Sequence, residues 1–411
     1  MNILHFAALS GFGGIERQFQ RFLNHFHAHR TDYPGFTHSL LAYHRTIHRD
    51  IIDDITRACR QVHMYKRLWP DLLLPPLVRP LRCRSLFSAH GYDTLVTWSI
   101  LRNATQARTI RSFPGRRVFY DHGWSTQAGN GRMGSLDMFD TCIANSHATR
   151  MTLAEKYRVP QERIAVLHNS YPDRYAAMDR DRLRGPMRAQ LGFQPGDKVV
   201  ICVGRMVFIK GFTIALEALR HLADPNIKLL LVGNGRAADT LRKLIGDYRL
   251  QDRVVWPGYV ADPMAMYAAA DLMLMPSCRE PFGIVLLEAA AAGLPVIAND
   301  IDGIRDTLTG PEDGWLTEPA RPPAAYPYIP ADAVPDLVFH PRLGRLAPPL
   351  FPDPQEVAGL INAVFRQPAD AAARTAHLRR RVLEEFSTRK YTDGFHAILS
   401  GPDRTATKGT T

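Results

Sequence analysis

The chain has 411 residues, of which 45% are hydrophobic, and a formal net charge of +11. This length allows two domains with ample cores. No apolar run reaches the roughly 20 residues of a transmembrane helix, and the first residues lack the pattern of a signal peptide, so we expect neither. The five cysteines are scattered without disulfide or zinc spacing, which indicates reduced core residues in a cytoplasmic protein.

The positive charge is confined to one half of the sequence. Residues 1–185 carry 26 Lys and Arg against 15 Asp and Glu, whereas residues 186–411 carry 25 of each. A basic surface can bind nucleic acid, anionic lipid or an anionic acceptor. Because no nucleic-acid-binding module is recognisable, we expect no nucleic-acid partner. Segment 68–84 mixes leucines with arginines, which suits contact with an anionic membrane surface, although a buried loop with a basic rim fits equally well.

Strand and helix patterns alternate along the whole chain, which predicts an α/β architecture with parallel sheets. We predict a first domain over residues 1–185 and a second from residue 186, with residues 171–195 as a charged linker. The predicted strands of the first half are 2–6, 39–43, 94–97, 117–120, 141–144 and 163–167. Those of the second half are 198–203, 228–232, 253–256, 272–275 and 295–298.

A glycine-rich turn follows the first predicted strand. Gly13 and Gly14 precede Glu16 and a helix predicted over about 17–27. The third glycine of a dinucleotide-binding fingerprint is replaced by Glu16, so this turn is not that fingerprint. It is still suited to close approach of a ligand, although an ordinary strand-to-helix turn would look the same.

One of the 16 histidines is singled out by its position. His122 follows the apolar strand predicted at 117–120, at the edge of the sheet that faces ligands in open α/β folds. Further along, Arg205 and Lys210 lie in one loop between the strand predicted at 198–203 and a helix. Two cations in such a loop can converge on one anion and stabilise charge that develops on it.

The most informative segment runs from Glu280 to Glu288. A strand end, a loop containing Gly283 and a helix start near Ile284 together form an anion site, because free backbone N–H groups and the positive helix end point at the ligand. Glu280 lies in the loop and Glu288 lies more than a turn inside the helix. Since carboxylates accept hydrogen bonds from sugar hydroxyls, the layout suits a nucleotide sugar.

These motifs resemble those of the retaining, group 1 glycosyltransferases of family 4, which have the GT-B fold. The resemblance implies two Rossmann-like domains facing a central crevice, with a C-terminal helix at about 388–400 crossing back to the first domain. It assigns the acceptor side to residues 1–185 and the nucleotide-sugar donor to residues 186–387. Residues 319–353 are rich in proline and depart from the family, so we predict an insertion there, mostly extended or irregular.

The resemblance also implies residue roles. His122 is expected at the reaction centre, Arg205 and Lys210 on the diphosphate, Glu280 on the donor sugar and Glu288 on the ribose. The other expected donor-binding residues are Gly13, Gly14, Gly258, Tyr259, Val260, Phe282, Gly283 and Ile284, of which Gly258, Tyr259 and Val260 form the turn that contacts the base.

The function implied is sugar transfer from a nucleoside-diphosphate sugar, with a UDP-sugar favoured, to a saccharide or lipid-linked acceptor. We expect a retaining, metal-independent hexosyltransferase without a cofactor, in bacterial lipopolysaccharide or other envelope polysaccharide synthesis. The expected location is the cytoplasm, including the inner face of the plasma membrane as a peripheral protein. Two alternatives remain open at this point: a nucleotide-sugar 2-epimerase on the same fold, and a non-catalytic partner that binds nucleotide sugar.

Overall fold

The computed structural model describes residues 1–11, 13–67, 72–99, 101, 103–125 and 136–401. The chain divides into two compact units. The first unit comprises Met1–Ser170 and the chain from Thr388 onward, and the second comprises Tyr171–Ser387. The return to the first unit at residue 388 coincides with the prediction. The other boundary follows residue 170, not residue 185.

Residues 171–185 belong to the second unit because their side chains and backbone are bound there. Arg174 pairs with Asp262 at 3.0 Å, Arg184 pairs with Asp271, and the Tyr171 N–H donates to the Phe386 carbonyl at 3.1 Å. The charge density that suggested a solvated linker is therefore used in fixed ion pairs. The predicted boundary was wrong because ion pairs over this distance in sequence cannot be inferred from composition.

The first unit contains a seven-stranded parallel sheet in the order β3-β2-β1-β4-β5-β6-β7. Its strands are β1 (Asn2–Ala7), β2 (Thr37–Ala42), β3 (Val62–Met64), β4 (Thr94–Trp98), β5 (Arg116–Asp121), β6 (Thr141–Ala144) and β7 (Ile164–Val166). Six of the seven were predicted. The strand that was missed, β3, has three residues at the edge of the sheet, too few for a recognisable alternation.

Helices cover this sheet. They are α1 (Gly14–Ala28), α2 (Arg49–Ala58), α3 (Arg79–His90), α4 (Ala104–Arg111), α5 (His147–Tyr157) and the C-terminal helix Thr388–Ser400. In α1, the buried Phe19, Phe22 and Phe26 recur at helical spacing and face the core. The C-terminal helix is tied to the sheet through Arg116, whose guanidinium donates to the Leu399 carbonyl at 2.6 Å.

The second unit contains a six-stranded parallel sheet in the order β10-β9-β8-β11-β12-β13. Its strands are β8 (Lys198–Val203), β9 (Ile227–Val232), β10 (Val254–Gly258), β11 (Leu272–Met275), β12 (Val296–Asn299) and β13 (Trp315–Thr317). The continuous apolar runs of β8 and β11 fit strands that are buried on both faces. Again the short edge strand, β13, was not predicted.

Its helices are α6 (Arg180–Gln190), α7 (Phe212–Arg220), α8 (Ala238–Asp247), α9 (Met264–Ala269), α10 (Ile284–Ala291), α11 (Pro354–Arg366) and α12 (Pro368–Glu385), and the C-terminal helix of the first unit is α13. In the part of the chain that the structure describes, no helix combines the length and apolarity needed to cross a bilayer. All five cysteines are buried with free thiols.

The proline-rich insertion is extended or irregular over most of its length, as predicted. It forms two antiparallel pairs, β14 (Pro319–Arg321) with β17 (Phe351–Pro352) and β15 (Val338–His340) with β16 (Arg345–Ala347). Tyr326 and Phe351 are buried in a small hydrophobic cluster with Phe208 and Cys278 of the second unit. These aromatic anchors and strand pairs hold the extended and irregular segment in place.

Three buried histidines form a hydrogen-bonded row inside the first unit. Trp98 Nε1 donates to His5 Nδ1 at 3.0 Å, and His5 Nε2 lies 2.8 Å from His38 Nδ1. His38 Nε2 lies 3.1 Å from His396 Nε2. Burial lowers the pKa of His5 to about 3 and that of His396 to about 4, and it lowers the pKa of His38 well below its usual value. The row is therefore neutral in the folded protein.

We predict that the protein loses stability as the pH falls below about 6.5, the ordinary pKa of histidine. The unfolded chain then binds protons that the folded row rejects, so stability decreases until the pH approaches the folded pKa values near 3–4. The loss approaches about 1.4 kcal/mol per histidine for each pH unit in this interval. Thermal melting between pH 7.5 and 5 measures the slope.

The variants His38→Gln and His27→Gln separate this row from other histidines. His27 is exposed on α1 and lies outside the row, so His27→Gln is the matched comparison, and the His38 variant should melt with a shallower slope than this variant. Equal slopes in wild type and His38→Gln would contradict the assignment.

Candidate functional site

Two neighbouring strands of the second unit, β8 and β11, each lead into a loop that carries predicted site residues. We call residues 204–211, which join β8 to α7, the clamp loop, and residues 276–283, which join β11 to α10, the glutamate loop. The Ile209 carbonyl accepts a hydrogen bond from the Cys278 N–H at 2.9 Å. Gly211 has a φ of +68°, and a Cβ there would lie 2.1 Å from a carbonyl oxygen of the glutamate loop. Only glycine allows this approach.

The contact between the loops brings two predicted residues together. Lys210 Nζ donates to Glu280 Oε2, and the two groups form an ion pair. The Glu280 side chain is only 8% exposed and that of Lys210 is 21% exposed. A carboxylate so deeply buried needs a compensating charge, and Lys210 provides it. The lysine predicted to bind diphosphate therefore also neutralises the carboxylate predicted to bind the sugar.

Arg205, at the start of the clamp loop, is exposed. Across the described ranges, no carboxylate pairs with its guanidinium. A guanidinium presents a planar fork of donors that matches phosphate oxygens, and here that fork is available to a ligand. Arg205 and Lys210 thus differ in their state before ligand binding, since the first is solvated and the second is already paired.

The glutamate loop ends at the beginning of α10. Gly283 has a φ of +89° and occupies the position before the first helical residue, Ile284. The first amides of a helix have no partner within the helix, so the N–H groups of Ile284 and Val285 and the positive end of the helix dipole are directed at this end. The start of α10 at Ile284 agrees with the prediction, and anion binding there stays a prediction.

Glu288 lies inside α10 and is buried. The Tyr267 hydroxyl donates to Glu288 Oε2 at 3.1 Å, so one side of the carboxylate is fixed by a residue of α9. Tyr267 of α9 therefore holds the Glu288 side chain in place, and the sequence did not predict this contact. Its contact with a ribose stays a prediction.

The turn after β10 is open to solvent. Gly258 has a φ of +86°, and its carbonyl accepts a hydrogen bond from the Gly233 N–H at 2.8 Å. Tyr259 is 57% exposed, whereas Val260 is half-buried and packs against the core. Of the three residues predicted to contact the base, Tyr259 offers the largest free surface.

Phe282 does not fit its predicted role as a donor-binding side chain. It is 1% exposed, and its ring lies 5.9 Å from that of Phe386 in the core of the second unit. Its place between two loop residues suggested a ligand contact, but an aromatic side chain in a tight loop gains more by core burial. Phe282 anchors the glutamate loop.

The remaining predicted residues lie in the first unit. The His122 ring stacks on Trp98 with centroids 5.3 Å apart, and its backbone N–H donates to Ser99 Oγ at 2.7 Å. Burial lowers the pKa of His122 to about 3, so the imidazole is neutral. Within the described residues, its Nε2 has no hydrogen-bond partner. Beside it, Asp121 accepts hydrogen bonds from the Gly123 and Trp124 amides at 2.8 and 2.6 Å and shapes the turn.

Gly13 and Gly14 lie at the N-terminus of α1. The Gly13 N–H donates to the Glu16 carboxylate at 3.0 Å, so this amide is already occupied. Gly14 is the first residue of the helix and is exposed. The predicted role of this turn is therefore confined to the amides of the first helical turn.

The two halves of the chain match two related protein families. Residues 12–173 match the family described as Glycosyltransferase Family 4, and residues 184–329 match Glycosyl transferases group 1. The chain belongs to the group 1 glycosyltransferases of family 4. This family relationship confirms the resemblance on which the residue assignments were based.

Similar proteins agree with this family. A D-inositol 3-phosphate glycosyltransferase of Segniliparus rotundus is 31% identical over 191 residues, which are 44% of this chain and 42% of the relative. The chain spans about half the length of the curated relatives it matches, or somewhat less.

Solved structures of glycosyltransferases share the fold. Anabaena HepE in complex with UDP and glucose has a TM-score of 0.74 at 20% identity, over 97% of this chain and 99% of that chain. WaaG, a glycosyltransferase involved in lipopolysaccharide biosynthesis, has a TM-score of 0.64 at 16% identity, over 98% of this chain and 100% of that chain. The predicted GT-B fold with two Rossmann-like units is confirmed.

Proposed function

We propose that this group 1 glycosyltransferase is an active, retaining and metal-independent enzyme that transfers a sugar from a nucleoside-diphosphate sugar. The observation that carries the proposal is the Lys210–Glu280 ion pair, which joins the clamp loop, with its exposed Arg205, to the glutamate loop that leads into α10. Cations, helix amides and a buried carboxylate on adjoining loops match a ligand with a diphosphate next to a sugar.

In this proposal the donor binds along the carboxyl edge of the second sheet. The base lies on the turn at Tyr259, and Glu288, held by Tyr267, accepts hydrogen bonds from the ribose hydroxyls. Arg205, Lys210 and the first amides of α10 bind the diphosphate. Glu280 accepts a hydrogen bond from a hydroxyl of the donor sugar.

The chemical step breaks the bond between the sugar carbon and the diphosphate oxygen, and the bonding electrons leave with the diphosphate. Fixed positive groups stabilise this developing charge without reorganising, and Arg205 is already free to do so. The acceptor hydroxyl forms the new glycosidic bond on the same face of the sugar, and its proton passes to a departing phosphate oxygen. His122, neutral and with a free ring nitrogen, is the proposed contact of the first unit with the transferred sugar.

Two similar proteins support the choice of donor and acceptor. HepE was solved with UDP and glucose, which favours a UDP-sugar as donor. WaaG is involved in lipopolysaccharide biosynthesis, and a saccharide or lipid-linked acceptor of the bacterial envelope is proposed here on that likeness and on the basic first half of the chain.

The proposed role of the clamp loop can be tested by mutation. Arg205→Ala should lower kcat/KM for donor by about 10²-fold, the scale expected when a fixed electrostatic stabiliser is lost, and should melt like wild type because Arg205 is exposed. Lys210→Ala should lower kcat/KM at least as much and also lower the Tm, since it leaves Glu280 buried without its counter-charge.

Lys243→Ala is the matched control, because Lys243 pairs with Asp247 on the surface of α8. It should leave both activity and Tm unchanged. Near-normal transfer by Arg205→Ala would remove the clamp loop from the donor site.

Metal independence can be tested with a chelator. Since two cationic side chains and helix amides supply the positive charge at the diphosphate, transfer should continue at an unchanged rate in excess EDTA. The measurement is the initial rate with and without chelator, followed by addition of Mg²⁺. A complete loss that Mg²⁺ restores would contradict metal independence.

Contact with an anionic membrane surface is also proposed, and an apolar patch of the first unit supports it. The patch comprises exposed side chains at and before the start of α3: Leu72, Leu73, Leu77, Val78 and Leu81. A cavity of about 660 Å³ in the same region is lined by Arg45, Arg67 and Arg82 among others. Apolar side chains beside arginines suit insertion at the boundary of headgroups and acyl chains. The remainder of the predicted segment, residues 68–71, lies outside the described residues.

We therefore expect the protein to sediment with anionic liposomes at low salt and to be released as salt rises, because the attraction between basic residues and anionic lipid is screened. Leu77→Ser with Leu81→Ser should weaken this binding, since these side chains are 77% and 66% exposed. Leu343→Ser, at an exposed leucine of the second unit, should not. Equal sedimentation with neutral and anionic vesicles would refute the membrane contact.

A further inference from the structure

The backbone of Glu280 is held at both ends by one loop. Asp302 Oδ2 accepts a hydrogen bond from the Glu280 N–H at 3.0 Å, and the Gly303 N–H donates to the Glu280 carbonyl at 2.9 Å. These two residues follow β12, which pairs with β11, so they reach the glutamate loop from the neighbouring strand. The approach is close, because a Cβ on Gly303 would lie 2.0 Å from the Pro281 carbonyl oxygen.

Asp302 adopts a backbone conformation that few residues other than glycine tolerate. Its φ is +55°, in the left-handed region. Such a conformation is strained for a residue with a Cβ, and it persists where the surroundings impose it. Glycine would relieve this strain but could not supply the side-chain acceptor that Glu280 uses.

The Asp302 carboxyl group is also fully buried. Burial raises its pKa to about 7, with Arg279 and Lys210 opposing the effect and Glu280 adding to it. Its second oxygen, Oδ1, has no hydrogen-bond partner among the described residues. A buried carboxyl group with one oxygen that makes no hydrogen bond destabilises the fold, so packing alone does not explain an Asp at this position.

We propose that Asp302 is a positioning residue. Its carboxyl group, together with the Gly303 amide, holds the peptide of Glu280 so that the Glu280 carboxylate meets Lys210. Sequence analysis assigned no role to Asp302. The inference rests on the proposed function only in that Glu280 is taken to contact the donor sugar; the positioning itself is a property of the ligand-free chain.

A double-mutant cycle on stability tests the positioning without any substrate. With Asp302 present, Lys210→Met should raise the unfolding equilibrium constant in urea by at least about 10-fold, because it leaves the buried Glu280 carboxylate without its counter-charge. In an Asp302→Gly background the same change should have an effect below about threefold, because Glu280 is no longer held. In an Asp302→Asn background the effect should remain full, since Asn retains an oxygen for the Glu280 N–H and tolerates positive φ.

Lys243→Met, at an exposed ion pair, is the control and should have the same small effect in every background. An undiminished effect of Lys210→Met in Asp302→Gly would overturn the proposal. If the glycine variant does not fold, Asp302→Ser, whose side chain is too short to reach the Glu280 N–H, takes its place with the same expected result.

Calorimetric titration with UDP and with UDP-glucose distinguishes positioning from a general structural role. Asp302→Gly should weaken the binding of UDP-glucose about tenfold more than it weakens the binding of UDP. Asp302→Asn should bind UDP-glucose like wild type. Equal weakening for both ligands would count against positioning of Glu280. Failure of wild type to bind either ligand would overturn the proposed function, and the stability cycle would still decide the assignment of Asp302.

Discussion

The ion pair between Lys210 and Glu280 is the constraint around which the second unit is organised. A buried carboxylate needs a compensating charge, and Lys210 of the clamp loop provides it. The close backbone approach at Gly211 makes this possible, and it fixes the spacing of two strand-to-helix loops at the edge of one sheet. The side chains proposed to bind diphosphate and sugar are thereby brought to one place.

Much of this arrangement was predictable because it is local in sequence. The apolar runs of β8 and β11, the glycine before α10 and the cations of the clamp loop each follow from patterns within about ten residues. Parallel strands bring their carboxyl ends to one edge, so residues after neighbouring strands had to lie near one another. The expectation of an anion site at Gly283 and Ile284 follows from helix termini alone.

What sequence analysis missed depends on contacts between distant segments. Tyr267 and Glu288 meet across two helices, and the ion pairs that assign residues 171–185 to the second unit join segments far apart in sequence. The position of Phe282 in a loop suggested that its side chain is exposed, but its ring is buried in the core of the second unit. The edge strands β3 and β13 are too short to show any periodicity.

The insertion illustrates how a fold accommodates extra chain. Its two ends, β14 and β17, pair with each other, so Pro319 lies opposite Pro352 and the segment between them forms a closed loop. Because the cost of closing a loop grows slowly with its length, material inside this closure can lengthen, shorten or change without moving β13 or α11. The side chains that contact the clamp loop are the exception, since Tyr326 and Phe351 share a cluster with Phe208. Divergence in this segment is thus restricted where it touches the clamp loop, and also where Arg342 pairs with the buried Asp300.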